Sequence, residues 1–512
     1  MNPRDLSLYD VLDRNARIFS DRLALVDERG AEHTFAELRA AVDSLATGLT
    51  GLGLVPGDRV AVLALNSRRF IELYLACARQ GLIAYPINWR LSTEEIGRII
   101  ERARPRAFVV DGASAEKLPA GSVADTIERW IEIDSDEEPH AEGFLPWGSI
   151  TVTGEPIPPV AVASDDPFCV LATAAVDVVP RGAVLSHGNV IASNIQEIAS
   201  LGLTPEHRSL CALPLFHVAG LGHALAHLHA GGANVVLPRF EAAASVELID
   251  RWSITHIADF PPVLAQTLDA AEAAGSELES LLHVTGLDSP QTMERLHETT
   301  GATFWTGFGQ AETTGMVTMQ NARERLGCAG RTAELAIVDL VDDYGRAVEV
   351  GEPGEIVVRG PLVFLGYDRD VEASAYAARG GWHHTGDVGR FDEEGRLYYV
   401  KRKAEKELIK PGGENVYPAE VETVIAELPG ITHACVFGVP DATWGEAIRA
   451  VVEVEGDAGA TVTPEAVIEH VGSRIARYKR PRHVEVVDRL PRSEDGSIDR
   501  EAVRARWGVK VV

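Results

Sequence analysis

At 512 residues the chain is long for a single hydrophobic core, so two or more domains are expected. Its 46% hydrophobic and 24% charged residues are those of an ordinary globular protein, and a net charge of -28 argues against nucleic acid and anionic membrane as general partners. The 5 cysteines (Cys77, Cys169, Cys211, Cys328, Cys435) are scattered without a CxxC pair, which excludes a disulfide framework or a thiolate zinc site and suits a reducing, cytoplasmic setting. Met1-Asn2-Pro3-Arg4-Asp5 lacks an apolar signal core, and the longest apolar region, Val218–Leu237, is broken by His223, His227, His229 and glycines. No membrane span is expected.

Residues 5–20 carry the apolar spacing of a short amphipathic helix. Leu23–Val26 and His33-Thr34-Phe35 suit a hairpin around Asp27-Glu28-Arg29-Gly30, with Thr34 capping a helix that runs from Phe35 to Leu52. Strands at Arg59–Leu65, Ala84–Asn88 and Ala107–Asp111 then alternate with helices at Asn66–Gln80 and Ser92–Arg102, a spacing that implies βαβ units and a mainly parallel sheet. After a polar connector, Ser135–Pro159, a second set begins with the apolar run Phe168–Leu171. Strands are expected at Leu210–Pro214, Ala233–Leu237, His256–Phe260, His283–Gly286 and Thr303–Trp305, and helices near Gly220–Leu228, Ala243–Trp252, Val263–Ala274 and Gln291–Thr299. Short strands among Gly, Pro and Asp turns mark a β subdomain over about 327–400. A charge run begins at Lys401 and leads into a compact α+β unit of about a hundred residues. It has helices at Glu420–Leu428 and Pro464–Ile475, and strands at Ile431–Val439, Ala450–Glu455 and His483–Val487.

Thr173–Asn189 reads as strand, loop and helix start, with Ser186 and Asn189 as caps for a helix beginning near Val190. That layout gathers backbone N–H groups on an anion, but Val176, Asp177, Val178 and Val179 are poor residues for such a loop. Only Pro180-Arg181-Gly182 has the character of phosphate-handling residues. Four further stretches exceed the needs of packing. His217 stands beside Phe216 at a strand end, and Gly307-Phe308-Gly309-Gln310-Ala311-Glu312-Thr313 combines close-approach glycines with a carboxylate fit for a metal. Thr385-Gly386-Asp387 offers a carboxylate to vicinal hydroxyls, and Arg402 is followed by Lys410-Pro411-Gly412-Gly413-Glu414-Asn415-Val416-Tyr417-Pro418. Each has an ordinary structural explanation alone. His223 and His227, at i,i+4 with His229 nearby, also have ligand spacing, but without a HExxH pattern an uncharged helix face is the better reading.

Taken in order, these stretches resemble the adenylate-forming (AMP-binding) superfamily, specifically the AMP-forming acyl-CoA synthetases and fatty-acid–CoA ligases, over about Tyr9 to Ala505. The resemblance implies an α/β fold. A large N-terminal domain, 1–400, would hold two helix-flanked, mainly parallel sheets and the β subdomain, joined by a hinge at Lys401 to a small mobile α+β domain, 401–512. It implies an acid, ATP and CoA as substrates, with Mg2+: the acid attacks the α-phosphate, pyrophosphate leaves, and the CoA thiol displaces AMP from the acyl-adenylate. Glu312 would bind magnesium, Asp387 and Arg402 the ribose, Phe308 would lie near the adenine, and Thr313 near the α-phosphate. Thr173, Arg181 and Gly182 would belong to the phosphate loop, Gly412, Gly413 and Glu414 to the CoA thiol path, and Lys479 to the set serving thioester formation. His217 would border the acyl pocket. Against the family pattern, Arg181 replaces a lysine, residues 174–179 lack the hydroxyls and glycines, Ser497 stands at the position of the C-terminal catalytic lysine, and Gly286-Leu287-Asp288-Ser289-Pro290 replaces a Gly-Ala-Pro type stretch. These losses fall on the triphosphate side. Three functions fit: a ligase with a modified adenylation site, an enzyme using preformed acyl-adenylate or acyl-CoA, and a non-catalytic binding protein. With Trp305, Phe308 and Leu287 as pocket walls the acid would be apolar, fatty or cyclic; the oligomeric state, a homodimer included, stays open.

Overall fold

The computed structural model describes residues 2–119, 121–139, 142–152, 154–173, 181–402, 408–412, 414–441, 443–454, 462–493 and 497–508. Two large sheets and their helices make up the N-terminal part. In the first, eight strands run in the order Gly366–Tyr367, Gly182–Ser186, Pro167–Ala172, Ile83–Pro86, Arg59–Leu63, Ala107–Val110, Arg129–Glu132 and Leu145–Pro146. The second has nine, with Arg208–Cys211, His256–Asp259, His283–Gly286 and Thr303–Gln310 as parallel neighbours at its centre and Gly315–Asn321 antiparallel beyond them. The Leu23–Val26 and Glu32–Thr34 hairpin closes the far edge.

Helix starts follow the sequence closely where caps are present. Thr34 with Glu37, Ser92 with Glu95 and Ser186 with Asn189 form reciprocal capping boxes that satisfy two backbone donors each. Between the sheets, the helices Phe35–Gly51, Arg68–Gln80, His187–Leu201 and Val218–Ala230 contribute to one apolar core with Phe168, Leu171, Cys211 and Val236 from the strands. Within it Phe70 and Tyr74 stack at 5.3 Å, and both are fully buried, each a burial worth about 1.5–3 kcal/mol.

The four-stranded antiparallel sheet Ile337–Val341, Gly354–Arg359, His383–Phe391 and Leu397–Arg402 forms the β subdomain. Its last strand runs through Lys401 to Arg402. The C-terminal part pairs Ile431–Asp441 with Gly445–Val454 antiparallel and the latter with His483–Val487 parallel, over helices Pro418–Ile425 and Pro464–Arg474. Among the described residues no helix is long and apolar enough to cross a membrane.

One expectation is overturned. The stretch after Phe168 is not strand, loop and helix start but a hairpin: Pro167–Ala172 pairs antiparallel with Gly182–Ser186, and the helix begins at His187, three residues before the expected Val190. Ala183, Val184 and Leu185 are apolar and fit a buried strand, which extends the sheet before Ser186 caps the helix. The helix N-terminus is therefore separated from Arg181 by the five-residue strand, about 16 Å in length. Residues 174–180, with Val176 and Asp177, lie outside the described residues.

Candidate active site

Two groups of residues form at the ends of these strands. The first is built around the turn joining Thr303–Gln310 to Gly315–Asn321. A Cβ on Gly309 would stand 2.0 Å from the Gly315 carbonyl oxygen, so only glycine lets the two strands approach here. Thr313 is fully buried; its hydroxyl accepts the Gln310 N–H at 2.8 Å and reaches the Gly315 carbonyl at 2.8 Å. That hydroxyl is spent on the turn, which holds Glu312 outward beside Tyr367. The Tyr367 hydroxyl donates to Glu312 Oε1 at 3.0 Å, and its pKa is pushed up by burial and then by the Glu312 charge, so it stays a donor. Glu312 is half-buried, and its second oxygen offers the hard anionic donor that magnesium takes.

Arg181 joins the same cluster. Its guanidinium lies 5.5 Å from the Tyr367 ring centroid and pairs with Asp370 at 3.2 Å, while its carbonyl accepts the Thr173 N–H at 2.7 Å to close the hairpin. The Gly182 carbonyl accepts the Asp368 N–H at 2.7 Å, which ties this strand to the next segment. Thr173, Arg181, Gly182 and Glu312 are thus connected through the Tyr367–Asp370 segment.

Asp387 is fully buried on the strand His383–Phe391. One carboxylate oxygen accepts from Gln310 Nε2, which also donates to the Thr385 carbonyl at 3.1 Å; the other accepts from the Tyr399 hydroxyl at 3.3 Å. Across the ladder, Asp387 stands in register with Arg402. The motif halves centred on Glu312 and Asp387 are therefore linked by Gln310. Phe308 is different. Expected beside the adenine, it is buried with Val317, Ala329, Leu340, Ile356, Val358 and Leu397, and its ring is committed to the apolar seam under the β subdomain.

The second group lies where the C-terminal part meets the N-terminal part. His217 caps the helix Val218–Ala230, its Nδ1 accepting the Ala219 N–H at 3.3 Å, with Phe260 edge-on at 6.1 Å. Burial, helped by the charges of Lys410 and Arg90, holds its pKa at about 4. The imidazole is neutral at pH 7, and the Nδ1 bond places the proton on Nε2. Gly412 has φ +60 with its Cβ position 2.8 Å from the Trp444 ring, a conformation and a clearance that call for glycine. Glu414 accepts from Asn88 Nδ2 at 3.1 Å and pairs with Arg90 at 3.0 Å; burial raises its pKa against these partners. Gly413 lies outside the described residues.

Lys479 is buried and bonds to Glu95 Oε1 at 2.5 Å and Glu420 Oε1 at 2.7 Å. Burial alone would lower its pKa, but the two carboxylates raise it, so the ammonium stays charged. Glu95 Oε2 also accepts the Ala476 N–H at 3.0 Å. Lys479 does not face the nucleotide cluster; it pins the two parts of the chain together. Ser497 is exposed on a hairpin closed by Ser493 N–H donating to the Ser497 carbonyl at 2.8 Å.

Sequence reasoning missed Gln310, Tyr399, Tyr367, Asn88, Arg90 and Glu95. Asn88 and Arg90 had a usable signal, since they follow the C-terminal end of the parallel strand Ile83–Pro86, the side on which open α/β sheets bind ligands.

A family model described as "AMP-binding enzyme" matches residues 12–368, and one described as "AMP-binding enzyme C-terminal domain" matches 420–497. The chain is 32% identical to a feruloyl-CoA synthase of Amycolatopsis sp over 501 residues, 97% of this chain and 98% of that protein. It is also 32% identical to an indoleacetate–CoA ligase of Aromatoleum aromaticum over 509 residues, 98% of each. Among solved structures, o-succinylbenzoate CoA synthetase from Bacillus subtilis, as a double mutant bound with its product analogue, aligns at a TM-score of 0.86 with 28% identity over 99% of this chain and 100% of that one. The same enzyme in complex with its acyl-adenylate intermediate aligns at 0.70 with 27% identity over 98% of each chain.

Proposed function

The chain belongs to the family of AMP-binding enzymes, and from that premise we propose that it is an ATP-dependent, AMP-forming acyl-CoA synthetase acting on an apolar acid, cyclic in preference to fatty. The observation that carries this reading is the seating of the segment around Lys410–Glu414 beside His217. Glu414 bonds to Asn88 and Arg90, and the Lys410 charge acts on the His217 ring. The higher likeness to the product-analogue complex than to the acyl-adenylate complex of one relative supports the view that the two domains stand here in their thioester-forming relation. The cyclic preference draws on the feruloyl- and indoleacetate-CoA relatives.

In this reading Asp387, fixed by Gln310 and Tyr399, and Arg402 opposite it hold the ribose. Glu312 would hold magnesium, whose charge offsets that of the phosphates. The acid oxygen attacks the α-phosphorus and pyrophosphate departs. Rotation about Lys401 brings Gly412-Gly413-Glu414 to the acyl group, and the CoA sulfur then attacks the carbonyl as AMP leaves. His217, neutral and with Nε2–H free of its cap bond, orients an oxygen on that path without competing for the thiol proton.

The test is purified protein with ATP, magnesium, CoA and a panel of hydroxycinnamic, indolyl, benzoic and fatty acids, read as AMP and acyl-CoA. Formation of neither with any acid overturns the reading. A second reading keeps the thioester chemistry but takes preformed acyl-adenylate. It is favoured by Ser497 on its exposed hairpin and by the pairing of Arg181 with Asp370. Turnover of synthetic acyl-adenylate with CoA, without turnover of acid with ATP, selects it.

A further inference from the structure

A second cluster of chemistry-bearing side chains lies apart from all of these residues. Glu197 on the helix His187–Leu201, His227 on the helix Val218–Ala230 and His256 on the strand His256–Asp259 converge with one ligand atom each within 4.8 Å of the others. Both histidines are fully buried, and Glu197 is 12% exposed. Three elements distant in sequence each send one metal-ligating group to the same point.

The hydrogen bonds around them orient the lone pairs. His227 Nδ1 donates to the His223 carbonyl at 2.9 Å, which leaves Nε2 unprotonated and turned towards His256. His256 Nε2 bonds to the Thr285 hydroxyl at 2.7 Å, which allows its Nδ1 to carry the lone pair. His223 Nδ1 bonds to Glu197 and fixes that carboxylate. These are the outer partners that metal-ligating histidines and carboxylates ordinarily have. His227 Nε2 and His256 Nδ1 face one another at 3.3 Å. That is long for a hydrogen bond between ring nitrogens, but two ligands at ~2.0–2.1 Å in a tetrahedral zinc sphere stand about 3.3–3.4 Å apart.

We propose that Glu197, His227 and His256 bind one divalent transition-metal ion of the zinc class, which clamps two helices to the nine-stranded sheet. Two imidazoles and one carboxylate match zinc in ligand type and count, with a fourth position left for water. The i,i+4 pair His223 and His227 seen in the sequence is then one ligand and one supporting residue, completed by groups that no local spacing connects to them.

The full-length protein, stripped with chelator, is titrated with Zn2+ by calorimetry and with Co2+ by visible absorption, alongside Glu197→Gln, His256→Gln and the exposed control His433→Ala. Expected are one tight equivalent per chain, Co2+ bands of a four-coordinate site, and a melting temperature raised by Zn2+. Affinity should fall at least tenfold in Glu197→Gln and His256→Gln and hold in His433→Ala. Circular dichroism checks folding. Should His256→Gln fail to fold, Glu197→Gln, at the edge of the cluster, decides. No tight equivalent in the folded parent, or equal affinity in folded Glu197→Gln, overturns the proposal and leaves a neutral hydrogen-bonded histidine chain.

Discussion

The two halves of the candidate site are held by opposite means. Around Glu312 and Asp387, the carboxylates accept hydrogen bonds from neutral donors, Tyr367, Gln310 and Tyr399. At the meeting of the two domains, carboxylates are positioned by cations: Lys479 between Glu95 and Glu420, and Arg90 on Glu414. The first arrangement lies within the N-terminal part. In the second, Lys479–Glu95 and Arg90–Glu414 join the two parts, while Lys479–Glu420 lies within the C-terminal part. A buried ion pair contributes little net stability over an apolar substitute but is costly to break one-sidedly.

The largest expected effect breaks the second half alone. Lys479→Met leaves Glu95 and Glu420 buried without their partner, a cost of about 3–5 kcal/mol to the docked arrangement. Thioester formation from supplied acyl-adenylate should fall at least a hundredfold, while ATP–pyrophosphate exchange changes little. Equal loss of both rates would mean that the halves are not independent. Next in size is a gain on the other half. Ser497→Lys restores a preorganised donor of the kind whose loss costs ~2.7–4 kcal/mol, so exchange should rise about 10²–10³-fold with thioester formation from acyl-adenylate unchanged.

A pH experiment probes the base of the hairpin. His187 is fully buried, its Nδ1 accepting the Leu8 N–H at 3.3 Å. Burial holds its pKa at about 4 against 6.5, although the Asp166 and Asp10 charges raise it. The unfolded chain therefore binds this proton first as pH falls. Its stabilising effect is complete above about 6.5 and is lost between there and about 4, corresponding to about 3 kcal/mol. Chemical denaturation at pH 7 and pH 4.5 should show His187→Asn less pH-dependent than the parent.

What the sequence showed, and what it hid, follows from the reach of each signal. The Thr34 cap is a local signal and was legible as such, as was the sequence pattern that includes Glu312, Asp387 and Arg402. The hairpin at Pro167–Ser186 was not, because Ala183-Val184-Leu185 reads equally as an approach to the Ser186 cap; only pairing with Phe168–Ala172 makes it a strand. Glu95 and Lys479 lie 384 positions apart, and nothing local in either distinguishes a partner from a surface charge. In the structure Glu95 also closes the capping box with Ser92. Phe308 shows the same limit: its packing against Leu340 and Ile356 across the β subdomain depends on strands far from its motif in sequence.

The smallest effect separates positioning from binding within the first half. Tyr399 is 50% exposed and donates to Asp387 Oδ1 at 3.3 Å, whereas Gln310 Nε2 holds the other oxygen from inside. Tyr399→Phe removes one long, half-exposed hydrogen bond without leaving a buried donor unmade, a loss of about 1 kcal/mol. AMP affinity by calorimetry should weaken about fivefold, with kcat for thioester formation unchanged. Gln310→Ala also strips the internal support that joins Asp387 to the Glu312 turn, so it should weaken AMP more and lower the exchange rate as well. If the two variants were equal, Gln310 would be a bystander and the link between the two motifs would carry no function.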